Sequence, residues 1–410
     1  MKILIIGQVW PEPKSSAAGS RMLQLISVFK EMGAEIHFAS AAAPGQNAAD
    51  LSALNIQTHV IKLNDDSFDA FAKNLQPEAV MFDRFMIEEQ YGWRVAENCP
   101  KAIRILDTED LHGLRKGREL ALKIGEAFTD KHLHNDTAKR EIASIYRCDL
   151  SLIISEAEMD LLNKFFKVPE ELLMYLPFMV DRISEAEVAK WPGFNQRKDF
   201  VTIGNFRHLP NWDAVQYLKK EIWPKIHTEI PDAKMHIYGS YPAEKHTQLH
   251  NPKENFLIHR WTEDAATAMM AAKVCLAPLR IGAGLKGKLL LAMQCGTPCV
   301  TTTLGAEGMH GKLPFNGFVE NDLQAFAAKA IELYTEENKW KTAQQAGVEV
   351  INQRFQKDFW SPKLIDNIFW LTTHLKSNRH HNFTGAMLHH QTLLAAKYLS
   401  KYIQAKNRAD

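Results

Sequence analysis

The chain has little of several things that would assign a protein to a class at once. Its 410 residues include only five cysteines, at 99, 148, 275, 295 and 299, and no C-x-x-C pair. That excludes a thioredoxin-type redox motif and the paired-cysteine zinc modules. Cys275 and Cys299 fall inside apolar runs of strand length and Cys295 near a helix end, so they are expected as small core residues in a reducing compartment. There is no charge of one sign to spare: Lys plus Arg is 49 against 48 for Asp plus Glu. No global field therefore draws the chain to nucleic acid, and an anionic ligand must be met locally. A run of about 18 apolar residues, the minimum for a spanning helix, is also missing. The first residues, Lys2 to Ile6, already read as a strand and not as the core of a secretion signal, which gives the expectation of a cytoplasmic protein. Neither the dinucleotide fingerprint nor the P-loop occurs, and no D-x-D pair follows a strand as a metal site would require.

What is present is an α/β pattern that restarts once. The length suits two domains, and 46% hydrophobic residues suit a globular protein. The densest signal lies between Lys273 and Met309. An apolar run, Val274 to Pro278, reads as a buried strand and empties into the turn Ile281-Gly282-Ala283-Gly284. Leu285 to Cys295 has helical length and is closed by Gly296 and Pro298; Cys299 to Thr303 is a second strand, followed by a loop from Gly305 to Gly308. This is the half-unit of a parallel sheet, and ligands of such sheets bind at the carboxyl ends of the strands. That edge carries Arg280, Gly282, Gly284, Lys286, Lys288 and Glu307. Glycines admit close approach of backbone to a ligand, and a helix start offers free N–H groups to phosphate, so an anion pocket is expected here. Either glycine loop alone would serve a tight turn equally well.

The first half opens with the strand KILIIG and a loop from Gln8 to Ala18. Gly19-Ser20-Arg21 then starts a helix through Lys30, stopped by Gly33. Gly19 would let a ligand approach the helix entrance, and Arg21 would either face that ligand or lie solvated. After the strand Ala102 to Leu106 comes DTEDLHGLRKGRE, residues 107 to 119. Asp107, Glu109, Asp110 and His112 at a strand tip suit the orientation of hydroxyls or acid–base work. Arg115 and Arg118 share a helix face, either for function or to match the helix dipole. A helix is expected over Lys131 to Tyr146, and the domain boundary between Val180 and Lys198. The pattern restarts at Phe200 to Ile203 and runs into GNFRHLPN, where Gly204, Asn205 and Arg207 again lie beyond a strand end. Asn211 reads as the cap of the next helix and Thr262 as the cap of one reaching Ala272. A late helix is expected over Pro362 to Leu375 and another over Phe383 to Ile403. The histidines at 380, 381, 389 and 390 read as solvated and not as a metal site.

Four of these segments resemble a known family, the glycosyltransferases of the GT-B fold and the retaining group 4 type. They are APLRIGAGLKGKLLLAMQCGTPCVTTTLGAEG (277–308), IHRWTEDA (258–265), GNFRHLPNWDAV (204–215) and DTEDLHGLRKGR (107–118). The resemblance implies an α/β fold of two Rossmann-like domains facing across a cleft. Residues 1–185 would form the acceptor side, 195–355 the donor-binding domain, 356–378 a helix crossing back, and 379–410 an additional helical tail. It implies a retaining transfer of a sugar from a nucleotide-diphosphate sugar to a glycan or glycolipid acceptor, with no metal and no other cofactor. The catalytic set it implies is Glu109, Asp110, Arg207 and Lys288, with Arg207 and Lys288 on the donor diphosphate. The donor-binding set is Gly19, Asn205, Arg260, Arg280, Gly282, Gly284, Glu307, Gly308 and Met309. Nucleic acid is not an expected partner; contact with the inner face of a membrane and self-association through the tail stay open. The sequence departs from the family pattern at Ala283 and Leu291, where glutamates are usual, at Glu109, where histidine is usual, and at Arg260, where glycine is usual. Leu291 and Glu109 motivate a second reading, a non-catalytic scaffold of a glycan-assembly system, and the same architecture leaves a third, another nucleotide-sugar or sugar-phosphate enzyme such as an epimerase or phosphorylase.

Overall fold

The computed structural model describes residues 1–390 and Tyr398. Two wholly parallel sheets organise the chain. The first has seven strands: β1 (Lys2–Gly7), β2 (Glu35–Ser40), β3 (Gln57–Val60), β4 (Ala79–Asp83), β5 (Ile103–Asp107), β6 (Leu150–Ile153) and β7 (Leu173–Tyr175). Their order is β3-β2-β1-β4-β5-β6-β7. The second has six: β8 (Lys198–Ile203), β9 (Met235–Tyr238), β10 (Phe256–Ile258), β11 (Ala272–Ala277), β12 (Cys299–Thr301) and β13 (Gly317–Val319), in the order β10-β9-β8-β11-β12-β13. The two halves therefore share one topology: each reverses strand order beside its first strand, at β1/β4 and at β8/β11. That reversal opens a crevice at the carboxyl ends of the strands, where the loops diverge to opposite faces.

The strands are continuous apolar runs because helices cover both faces. Within β1, Leu4 and Ile6 join one core while Ile3 and Ile5 join the other, as the two-residue period of a strand requires. The helix Lys357–His381 leaves the second domain and packs Leu364, Ile368 and Leu371 into the core that holds Ile3 and Ile5. Their spacing places them on one helix face. At its far end Arg379 pairs with Asp149 and donates to the carbonyls of Pro100 and Ala102. Pro362 thus lies inside this helix and does not begin it.

Several sequence expectations shift. The helix expected over Lys131 to Tyr146 is a short turn, Asp130–Leu133, followed by a helix Asp136–Arg147 whose start is capped by Asn135 accepting from the Ala138 N–H. Asn211 is not a cap; the helix Leu209–Tyr217 begins after His208, and Asn211 Nδ2 donates back to the Asn205 carbonyl. Asp264, not Thr262, caps Ala265–Ala271 by accepting from the Thr267 N–H. At Asn135 and Asp264 the side chain that reaches the N3 amide takes the cap, whereas the helix from Leu209 starts ahead of Asn211 with Pro210 in its first turn. The tail helix spans Phe383–His389 and ends at His390; the rest of the span expected to reach Ile403 lies outside the described residues apart from Tyr398. His389 is exposed, with its Nε2 2.9 Å from Arg104 Nη1 and 3.1 Å from the Arg147 carbonyl. All five cysteines are free and buried. Among the described residues no helix is long and apolar enough to cross a membrane.

Candidate active site

Both crevices open into one cavity of about 1020 Å³ between the domains. Two helix starts meet in its wall: Ala17–Glu31 from the first domain and Gly287–Gln294 from the second. A methyl group added at Gly287 would lie 2.6 Å from Ala17 Cβ, so glycine is what lets these two starts approach. Each brings unpaired N–H groups and partial positive charge to the same space.

On the second-domain wall Lys288 occupies the first turn of its helix. Among the described residues its ammonium has no hydrogen bond or ion pair. Burial, opposed only weakly by Cys275 and aided by neighbouring Lys286, holds it down to about 8. A lysine kept in a cavity wall at that cost, without a carboxylate, is suited to an anion that arrives later. Arg207 lines the same cavity from the loop after β8, its guanidinium 3.8 Å from the centre of the Tyr241 ring. The Tyr241 hydroxyl donates to the Glu12 carboxylate of the first domain, so this cation rests on a ring fixed across the cleft. Asn205 shapes that loop by accepting from the Arg207 N–H at 2.9 Å. Gly19 also lines the cavity, but a Cβ there would lie 2.3 Å from the Glu12 carbonyl carbon; its smallness first of all lets the Gln8–Ser16 loop fold over the helix.

The opposite wall is built on the tips of β4 and β5, whose last residues Asp83 and Asp107 are in register. Asp107 and Arg21 are both fully buried and form an ion pair, with Arg21 Nη2 2.9 Å from Asp107 Oδ1 and Nη1 donating to the Leu176 carbonyl. Arg21 is therefore neither a ligand contact nor a solvated residue; it supports the floor of the site. Just above it, Arg84 and Glu109 both adopt positive φ, +73° and +62°. For Arg84, with ψ 158°, this is a region normally left to glycine. Such strain, placed twice side by side where the strands end, aims both side chains into the cavity. The adjacent carboxyls Glu109 and Asp110 are driven apart. Burial, then the charges of Asp107 and Asp83, push Glu109 up to about 8 against the pull of Arg84. Burial acts the same way on Asp110, but Arg115, His112 and His208 outweigh it and bring it down to about 2. Near neutral pH the site thus holds one neutral carboxyl that can donate a hydrogen bond beside one carboxylate that can only accept. His208 reaches this group from the second domain and is lowered to about 4 by burial, against the opposing charge of Asp110.

The structure thus brings Gly19, Glu109, Asp110, Asn205, Arg207, Gly282 and Lys288 to one cavity, together with Leu291. It places the other expected residues elsewhere. Arg280 is held by both oxygens of Asp213 and lies 4.3 Å over the Tyr217 ring, on the flank of Leu209–Tyr217. Glu307 is paired with Arg118, at 2.6 and 2.9 Å. The Gly284 N–H donates to Glu158 at 2.8 Å. At Gly308 a Cβ would stand 2.5 Å from Ser155 Oγ, and Met309 is wholly buried. Arg260 is exposed and outside the lining. Arg84, His208 and Glu158 are the residues that sequence reasoning missed. The Asp-Arg pair ending the β4 run carries the same signal that singled out residues 107–118, whereas nothing local marks Glu158.

Residues 197–336 match a family model described as Glycosyl transferases group 1. No curated protein matches the chain. Among solved structures, the chain resembles sucrose-phosphate synthase from Thermosynechococcus elongatus, with a TM-score of 0.68 and 14% identity over 91% of this chain and 99% of that one. It likewise resembles the Anabaena protein HepE in complex with UDP and glucose, with a TM-score of 0.66 and 14% identity over 90% and 99% of the two chains. The pneumococcal O-GlcNAc transferase GtfA in complex with UDP and GlcNAc gives a TM-score of 0.65 and 12% identity over 91% and 99%. Residues 197–336 thus resemble the group 1 glycosyl transferases by sequence, and the two parallel sheets together have the GT-B fold.

Proposed function

We propose that this protein transfers a sugar from a nucleoside-diphosphate sugar to a hydroxyl of a glycan or glycolipid acceptor, with retention of configuration. The observation that carries the reading is Lys288, an uncompensated cation in the wall of a cavity that also holds Arg207. A diphosphate seated between them would gain charge-assisted hydrogen bonds and the field of the helix start. As the bond from the anomeric carbon to phosphate breaks, negative charge grows on the diphosphate, and two fixed cations already in place stabilise it without reorganising. In this reading they supply the charge that a bound metal supplies elsewhere. The acceptor hydroxyl enters from the Glu109–Asp110 wall and bonds to the anomeric carbon. Its proton passes to the leaving phosphate oxygen, so the sugar changes partner and the diphosphate departs singly protonated. Neutral Glu109 would donate to a sugar oxygen and ionised Asp110 would accept from a hydroxyl.

Two of the similar structures were solved with UDP, which makes UDP the first probe. The test is thermal melting with UDP, GDP and ADP, followed by product detection with the corresponding labelled sugar donors. A rise in Tm with one diphosphate that disappears in Lys288→Ala, and product from its donor, are the expected results. No response to any of the three would remove the reading. A scaffold of the same shape has no use for a lysine held at such a cost, so the same experiment separates the two.

A further inference from the structure

The glycine loops of the second domain are gripped by the first domain, and the grip passes through one carboxyl. Glu158 is fully buried in the first turn of the helix Glu156–Lys164. Its Oε1 accepts two N–H groups at 2.8 Å each: Leu111, next to Asp110 on the acceptor-side wall, and Gly284, in the loop that leads into the helix of Lys288. Its Oε2 has no partner among the described residues. Arg118 adds a second grip, donating to the Gly282 carbonyl and to Glu307. The two walls of the cavity are thus tied within a few residues of Asp110 on one side and Lys288 on the other.

We propose that Glu158 is a positioning residue: by holding Leu111 N–H and Gly284 N–H on one oxygen, it sets the acceptor-side carboxyls in register with the phosphate-binding lysine. Nothing in its surroundings suggests contact with substrate. Gly284 has φ +63°, and a Cβ there would stand 2.9 Å from Asp110 Cβ, so the loops meet closely enough for a small slip to matter. Its surroundings also say which chemistry the grip needs. Burial, then the charge of Asp110, hold the carboxyl up to about 8, with Lys286 opposing and Glu141 adding to the rise. The group is therefore neutral at pH 7, and glutamine, which keeps a carbonyl-type acceptor at the same position, is its nearest substitute.

The inference rests on the transferase reading for its consequence but not for its existence, and the experiment has separate arms. In Glu158→Ala, or Glu158→Met where alanine compromises purification, amide exchange should accelerate together in peptides covering 107–116 and 280–290. UDP affinity should stay within about threefold, because Arg207 and Lys288 both belong to the second domain. Turnover should fall roughly 10- to 100-fold, the effect of a misplacement near 1 Å, with the KM for donor little changed. Glu158→Gln should restore both exchange protection and turnover. A merely structural residue would lower stability without splitting turnover from UDP binding. The proposal is overturned if only one of the two segments loses protection, if turnover changes less than threefold, or if glutamine behaves like alanine. If the wild-type protein transfers no sugar, the transferase reading falls while the exchange arm still decides whether the tie exists.

Discussion

Replacing Lys288 with methionine should make the unliganded protein more stable and the liganded one weaker. Holding an ammonium at about 8 instead of 10.5 costs about 3 kcal/mol at neutral pH. The side chain is only partly covered and lines a cavity of about 1020 Å³, which reduces the cost to about 1–2 kcal/mol. Methionine has similar length and no charge to desolvate, so Lys288→Met should return that amount, a rise of roughly 2–8 °C in Tm. The sign of the pH dependence follows from the lowered value. Below about pH 8 the lysine is charged in both folded and unfolded chains and the full cost applies. Between about 8 and 10.5 the unfolded chain holds the extra proton, the wild type gains stability as pH rises, and the advantage of the variant disappears. Binding moves the other way. A charge-assisted hydrogen bond to phosphate is worth about 1.5–3 kcal/mol, so UDP should bind the variant about 10- to 100-fold more weakly. For the wild type, affinity should be flat below pH 8 and fall about tenfold per pH unit above it, because the neutral amine must first be protonated; the variant should lack that fall. Melting curves from pH 6 to 10.5, with and without UDP, read all three effects. A variant that is less stable at pH 7 and still responds fully to UDP would refute the reasoning.

Glu109, held up to about 8 against an ordinary 4.5, burdens the fold once it ionises. Stability should therefore fall as pH rises from about 4.5 through 8, and Glu109→Gln should melt higher than wild type at pH 9 but not at pH 4. Asp107→Asn should cost about 3–5 kcal/mol in chemical denaturation, because it leaves the Arg21 guanidinium buried without its counterion. Gly19→Ala should displace the Gln8–Ser16 loop, since its Cβ would meet the Glu12 backbone at 2.3–2.6 Å. A loss of about 1–3 kcal/mol and a smaller UDP-induced rise in Tm are expected, and an unchanged UDP response would show that the loop does not contribute to the cavity.

What the sequence disclosed and what it withheld divide along one physical line. The strands, the restart of the pattern and the glycine loops were legible because each is a local signal: an apolar run of strand length, a turn residue, a helix stop. The placement of Lys288 and Arg207 in the cavity lining follows from local signals too, since each is a basic residue beside a strand end or a helix start. The misplacements share the opposite cause. Arg280 was expected at the donor but meets Asp213 67 residues away; Glu307 meets Arg118 across 189 residues and Gly284 meets Glu158 across 126. No periodicity or spacing encodes such partners: Arg280 meets Asp213 only in the folded second domain, and the other two pairs exist only once the two sheets have docked. A glycine loop announces close approach without naming what approaches. At Gly284 and Gly308 the answer is the other domain, through Glu158 and Ser155, which leaves Gly282 and the start of Gly287–Gln294 as the part of that edge still open to a ligand. The second-domain loops that border the cavity are therefore the loops the first domain holds. Substitutions between residues 107 and 118 should consequently lower turnover while leaving donor affinity little changed, and a protein in which the two walls responded independently would have to lack the ties at Glu158 and Arg118.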